Sequence, residues 1–99
     1  MDNYQTCIAK MELFVDFEHY GSNMNGYYVN NMNIQLIKKY KADYLIYSYS
    51  TLICFINFND KTYYINPTKY STTTSKQVTF IRKAAKGWER KGFERRLWI

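Results

Sequence analysis

Histidine and proline occur once each, cysteine twice and glycine four times in the 99 residues. Each scarcity removes a class of protein. A single histidine, His19, with no Cys-x-x-Cys pair, leaves no zinc set, and no metal is expected. Two cysteines make no disulfide framework. Cys54 lies in the apolar run Leu52-Ile53-Cys54-Phe55-Ile56 and reads as a small buried hydrophobe, whereas Cys7 is expected in a loose N-terminal segment. No apolar run reaches the roughly 18 residues that span a bilayer. Met1-Asp2-Asn3-Tyr4 lacks the basic and apolar regions of a signal peptide, so the expectation is a cytoplasmic protein without membrane contact. Catalytic sets are thin as well. Asp16, Glu18 and His19 adjoin in sequence, but a strand there places His19 on the face opposite the two carboxylates. No catalytic residue and no cofactor is expected.

What is present is core material: 46% hydrophobic and 19% aromatic residues, enough to exclude a disordered chain. The length suits one domain, residues 1–99. The net charge of +6 is unevenly distributed. Residues 1–43 carry four basic and five acidic side chains, and residues 44–75 carry Lys61 and Lys69 against Asp60. Residues 76–99 carry Lys76, Arg82, Lys83, Lys86, Arg90, Lys91, Arg95 and Arg96 against Glu89 and Glu94, so this basic helix and tail alone accounts for +6. A solvated helix face is the ordinary explanation of such a run. Eight cations in 24 residues favour a surface for an anionic partner.

Periodicity predicts the elements. From Ala9 to Phe17 the odd positions are apolar, which predicts a strand. Residues 21–26 read as a loop and Tyr27-Tyr28-Val29 as a returning strand. Asn33 caps a predicted short helix to Tyr40. Tyr44 to Phe58 is apolar on both alternate faces, as in a strand covered on two sides or a bent strand, with a bulge expected at Ser48–Thr51. Asn59-Asp60 offers a tight turn, Thr62–Ile65 a return strand, and Pro67 its stop. Thr74 and Gln77 form a capping box that opens a helix. Val78, Ile81, Ala84, Ala85 and Trp88 fall on one face of it, and Arg82, Lys86 and Arg90 on the other. Gly87 or Gly92 can end the helix, and residues 93–99 form a last strand or a docked tail. The fold class is therefore α+β: a small antiparallel sheet of four to five strands, packed by one main C-terminal helix, with a second short helix near 33–40.

Ser48-Tyr49-Ser50-Thr51, a short hairpin, and Tyr70-Ser71-x-Thr73-Thr74-Ser75-Lys76 opening a helix resemble a family of small uncharacterised phage and mobile-element proteins. The resemblance covers about residues 34–82. Gln77 stands where the pattern has a histidine, and the arginine-rich end after Gly87 lies outside it. It implies an α+β fold and a phage-like origin, and supplies no catalytic residue. Read physically, the string has two explanations. Thr73, Thr74, Ser75 and Lys76 form an anion site at a helix N-terminus, or the hydroxyls simply cap the helix and tie it to the hairpin.

Together these features lead to an accessory protein of phage type that binds and blocks a host defence nucleoprotein, as an anti-CRISPR inhibitor does. The expected contact residues are Lys76, Arg82, Lys83, Lys86, Arg90, Lys91, Arg95, Arg96 and Trp98, the last as an aromatic beside two arginines. The alternatives are a nucleic-acid-binding module using the same residues on phosphates, and a small basic ribonuclease working with Arg, Lys and Tyr.

Overall fold

The computed structural model describes residues 3–19, 23–29, 42–66 and 72–98, with the backbone alone at 72–75. Among the described residues two helices, α1 (Tyr4–Glu12) and α2 (Thr72–Arg90), lie on one face of a six-stranded sheet. The strands are β1 (Phe17–His19), β2 (Met24–Tyr28), β3 (Tyr44–Ser48), β4 (Thr51–Asn57), β5 (Thr62–Ile65) and β6 (Glu94–Arg96), and they neighbour one another in that order. The first four pairings are antiparallel. β6 returns after α2 and pairs parallel to β5, so the α+β sheet is mixed, with six strands where four to five were expected. Among the described residues no helix is long and apolar enough to cross a membrane.

α1 overturns the predicted strand at 9–17. Asn3 caps the helix, its Oδ1 accepting from the Thr6 amide at 2.8 Å. Cys7 and Met11, four residues apart, are both fully buried, while Ala9, Leu13 and Val15 of the apparent alternation are exposed. Either period would put Cys7 and Met11 on one side; the helix differs in turning Ala9 and Leu13, which a strand would bury beside them, out to solvent. Cys7 is thus part of the core and not of a loose end. The helix closes when Phe14 takes a left-handed φ of 58°, with Val15 N donating to Lys10 O and Phe14 N to Met11 O.

The stretch 44–58 is two strands. Ser48 pairs with Thr51 around a two-residue turn in which Tyr49 has φ 55°, so the expected bulge there is a hairpin. The irregularity sits instead within β4, where Cys54 pairs with Ile46 and Leu52 with Tyr47, leaving Ile53 extra. β4 is buried from Leu52 through Asn57, on both faces as the sequence indicates. After it, Asn57 Oδ1 accepts from the Asp60 amide, and Lys61, not Asn59 or Asp60, takes the left-handed position with φ 52°. β2 begins at Met24, earlier than the predicted return strand at 27–29, so 24–26 are not loop.

α2 starts at Thr72, two residues before the capping box implies, which puts Thr74 inside the helix and not at its cap. The buried stripe is as read: Ile81, Ala84, Ala85 and Trp88, with Val78 partly covered. Trp88 is fully buried against the rings of Tyr63 and Phe14, and its Nε1 donates to Met11 O at 3.0 Å. The helix ends on Gly92, with φ +95°; Phe93 N donates to Trp88 O and Gly92 N to Glu89 O. The predicted helix at 33–40 and the Pro67 stop fall outside the described residues.

Strand alternation divides the core. Tyr44, Ile46, Cys54, Ile56, Tyr63 and Ile65 face the helices. Leu45, Leu52 and Phe55 face the other way with Ala42, flanked by half-buried Tyr27, Tyr47, Tyr64 and Trp98. Both cysteines are buried free thiols.

Candidate interaction surface

A helix packed on a sheet by one apolar stripe must leave its opposite side in solvent. On α2 that side carries Lys76, Arg82, Lys83, Lys86 and Arg90, all exposed. They are not equivalent. Lys83 Nζ donates to Tyr4 Oη at 2.8 Å and lies 5.2 Å from that ring's centroid. Arg90 Nη2 is 3.7 Å from Glu12 Oε1. Lys91 Nζ donates to the Glu12 carbonyl at 3.2 Å and sits over the Phe14 ring. These three cations run along the seam with α1. Among the described residues, Lys76, Arg82 and Lys86 have no carboxylate partner. Glu89, the acid within the same helix, accepts a 2.9 Å hydrogen bond from Tyr63 Oη. Burial first, and then that hydrogen bond, push Tyr63 up to about 12.

The two arginines of β6 part company. Arg95 is opposite Tyr63 and so lies on the helical face, whereas Arg96 is opposite Tyr64 on the aromatic face. Arg96 Nη2 lies 3.8 Å from Glu94 Oε2, two residues back on its own face. Trp98 is half-buried, with its ring edge-on to Phe55 at 4.9 Å, so it belongs in part to the second core cluster. Leu97 beside it is 83% exposed. Ile65, Arg95, Arg96, Leu97 and Trp98 line one open cleft. The side chains of Thr73, Thr74 and Ser75 lie outside the described residues, and Lys76 is exposed.

Residues 15–95 match a family described as a family of unknown function, DUF8033. The chain belongs to it. The matched span begins after α1 and takes in β1 to β5, α2 and β6 as far as Arg95, so nearly all of the sheet and the basic helix are the DUF8033 portion of this molecule. No curated protein and no solved structure matches the chain.

Of the cations expected to act together in this DUF8033 protein, the fold groups Lys76, Arg82 and Lys86 with Lys83 and Arg90 on one helix. It places Lys91 at the helix end and Arg95 and Arg96 on opposite faces of an edge strand. Sequence reasoning missed the seam with α1, because that helix was read as strand. The Asn3 cap was the available signal. It also missed the Tyr63–Glu89 bond, which joins residues 26 apart and leaves no local trace. Among the described residues no group of three or more His, Cys, Asp or Glu side chains has a metal-holding arrangement.

Proposed function

We propose that this chain is a non-catalytic binding protein, an accessory protein of phage or mobile-element type, that docks on a host defence nucleoprotein and blocks it through the exposed face of α2. The observation that supports this reading is the trio Lys76, Arg82 and Lys86, exposed on a 19-residue helix and unpaired among the described residues. Partnered cations gain little from a new anion. Unpartnered cations on a rigid helix meet one without first breaking an existing contact, and they steer its approach. A nucleoprotein presents phosphate and acidic protein surface together.

The test is a plasmid-interference assay in cells carrying a CRISPR–Cas system. Wild-type protein should restore transformation by a targeted plasmid, and Lys76→Glu/Arg82→Glu/Lys86→Glu should not, while its melting temperature stays within a few degrees. Full inhibition by that folded variant would remove α2 from the mechanism. Failure of the wild type to inhibit, together with duplex DNA binding whose logarithmic affinity falls with salt at about −0.9 per phosphate contacted, would favour a plain nucleic-acid-binding module.

A further inference from the structure

Among the described residues the sheet ends on β1 at one side and β6 at the other, and the β6 edge lies next to the cleft and to Leu97. Edge strands carry unpaired backbone donors and acceptors, and proteins normally blunt them by making them short and charged. β6 is short, and all three of its side chains are charged and exposed. Blunting alone would explain Glu94, Arg95 and Arg96. It does not explain Leu97, which follows at 83% exposure, nor a cleft floored by the buried Ile65. A protected edge has no use for a bare leucine.

The pairing fixes which backbone groups are free. Glu94 N donates to Lys61 O at 2.9 Å, so the Glu94 amide points at β5. Backbone groups alternate sides along a strand, so the N–H and C=O of Arg95 point out of the sheet. Two arginines, one on each face, flank that outward pair.

We propose that β6 is a docking edge for an extended acidic peptide segment of a protein partner, which adds to the sheet as a further strand through the Arg95 backbone. Two neighbouring acidic side chains, which a strand turns to opposite faces, meet Arg95 and Arg96, and an apolar side chain next to them covers Leu97 in the cleft. Charge complementarity selects this occupant. Nucleic acid fits poorly, because phosphate tracking needs a row of cations on one surface, and here two arginines divide between faces. Main-chain hydrogen bonds give such an addition its affinity, and alternate side chains give its specificity. The inference stands apart from the α2 reading, since it uses neither Lys76, Arg82 nor Lys86.

The probe is an acetylated, amidated Thr-Val-Glu-Glu-Val-Thr peptide, titrated into the full-length chain by amide chemical-shift mapping. Shifts should concentrate on residues 93–98 and leave the α2 cations unmoved. Arg95→Pro should stay folded, because its N–H faces away from β5 and proline is tolerated at such edge positions. It should weaken the peptide by about tenfold or more, through the lost donor. Arg95→Ala keeps the donor and should weaken it by only about two- to fivefold. If Arg95→Pro proves unfolded, Leu97→Ser, which leaves the backbone intact, should still weaken binding several-fold while the melting temperature holds. Equal binding of a Thr-Val-Lys-Lys-Val-Thr peptide would overturn the inference, as would unchanged affinity in a folded Arg95→Pro or Leu97→Ser protein. So would a concentration-dependent dimer that Arg95→Pro abolishes, which would make the occupant a second copy. Shifts at 93–98 caused by an oligonucleotide and not by the peptide would overturn it too.

Discussion

Phe14 occupies a position where most chains place glycine or asparagine. Its φ of 58° closes α1, at a cost of about 1–2 kcal/mol for a side chain with a Cβ. The offset comes from its ring, which lies within 6 Å of the Tyr44, Phe58, Trp88 and Phe93 ring centroids: 5.6, 4.8, 5.7 and 5.5 Å. Large-to-small losses in cores run at about 3–5 kcal/mol, which exceeds the strain relieved. Phe14→Gly should therefore destabilise the protein by about 2 kcal/mol or more in denaturant unfolding. Phe14 is also why the end of α1 is hard to see, since the usual glycine or asparagine stop signal is missing. Tyr44 gives a second prediction at this scale. It is buried, donates to Val15 O at 2.7 Å, and holds its proton far above the ordinary tyrosine range, chiefly through burial. Tyr47 and Tyr63 are pushed up to about 12 from 10.0, burial being the first cause in both. The Cys54 thiol, from 9.0, is raised by burial too. Such groups leave stability intact while the unfolded chain also keeps its protons. Stability should then fall as pH rises from about 9 to 12, where only the unfolded chain deprotonates. Urea midpoints across that range should decline, and Tyr44→Phe should flatten the decline. At pH 8 the same variant should cost about 1 kcal/mol for the lost hydrogen bond.

Among the elements, α2 was legible and the sheet less so. Nineteen residues at a period of 3.6 give a stripe that short strands cannot match, and Ile81, Ala85 and Trp88 declare it. The Tyr49-Ser50 turn carries neither glycine nor asparagine, so β3 and β4 read as one strand. A Tyr49 hydroxyl accepting from Asn23 Nδ2, at 2.9 Å, helps to hold the turn from another part of the chain. The parallel pairing of β6 had no local signature. For the candidate surface, exposure of the α2 cations followed from the stripe, whereas the partition of Arg95 from Arg96 needed the strand register. The contact of α1 with α2 is testable as a unit. Gly87 is buried in mid-helix, and a Cβ there would overlap the Glu12 side chain, which in turn neighbours Arg90. Alanine gains about 1 kcal/mol of helix propensity over glycine but must displace Glu12. Gly87→Ala should be destabilising or neutral by itself. Gly87→Ala/Glu12→Ala should be about 1 kcal/mol more stable than Glu12→Ala alone, as a thermal double-mutant cycle would report.

At the scale of the whole molecule, positive charge is a colloidal property as well as a binding one. The triple reversal at Lys76, Arg82 and Lys86 changes the net charge by −6, from +6 to zero, where self-association is favoured. Its loss of inhibition should therefore be matched by Lys76→Ala/Arg82→Ala/Lys86→Ala, which retains +3 and should remain monodisperse in sedimentation velocity. Agreement between the two variants ties the effect to the α2 face; loss in the reversal alone would trace it to precipitation. One packing feature also governs how the protein is made. The Trp88 indole closes onto the Met11 carbonyl across 77 residues of sequence. At a synthesis rate of about 5–20 residues per second, α1 leaves the ribosome roughly 4–15 s before the tryptophan that seats it. During that interval the apolar side of α1, with Cys7 and Met11, has no α2 to cover it. The nascent chain is then a substrate for chaperones and for thiol oxidation, and the sheet's helical face cannot finish packing until Trp88 has emerged.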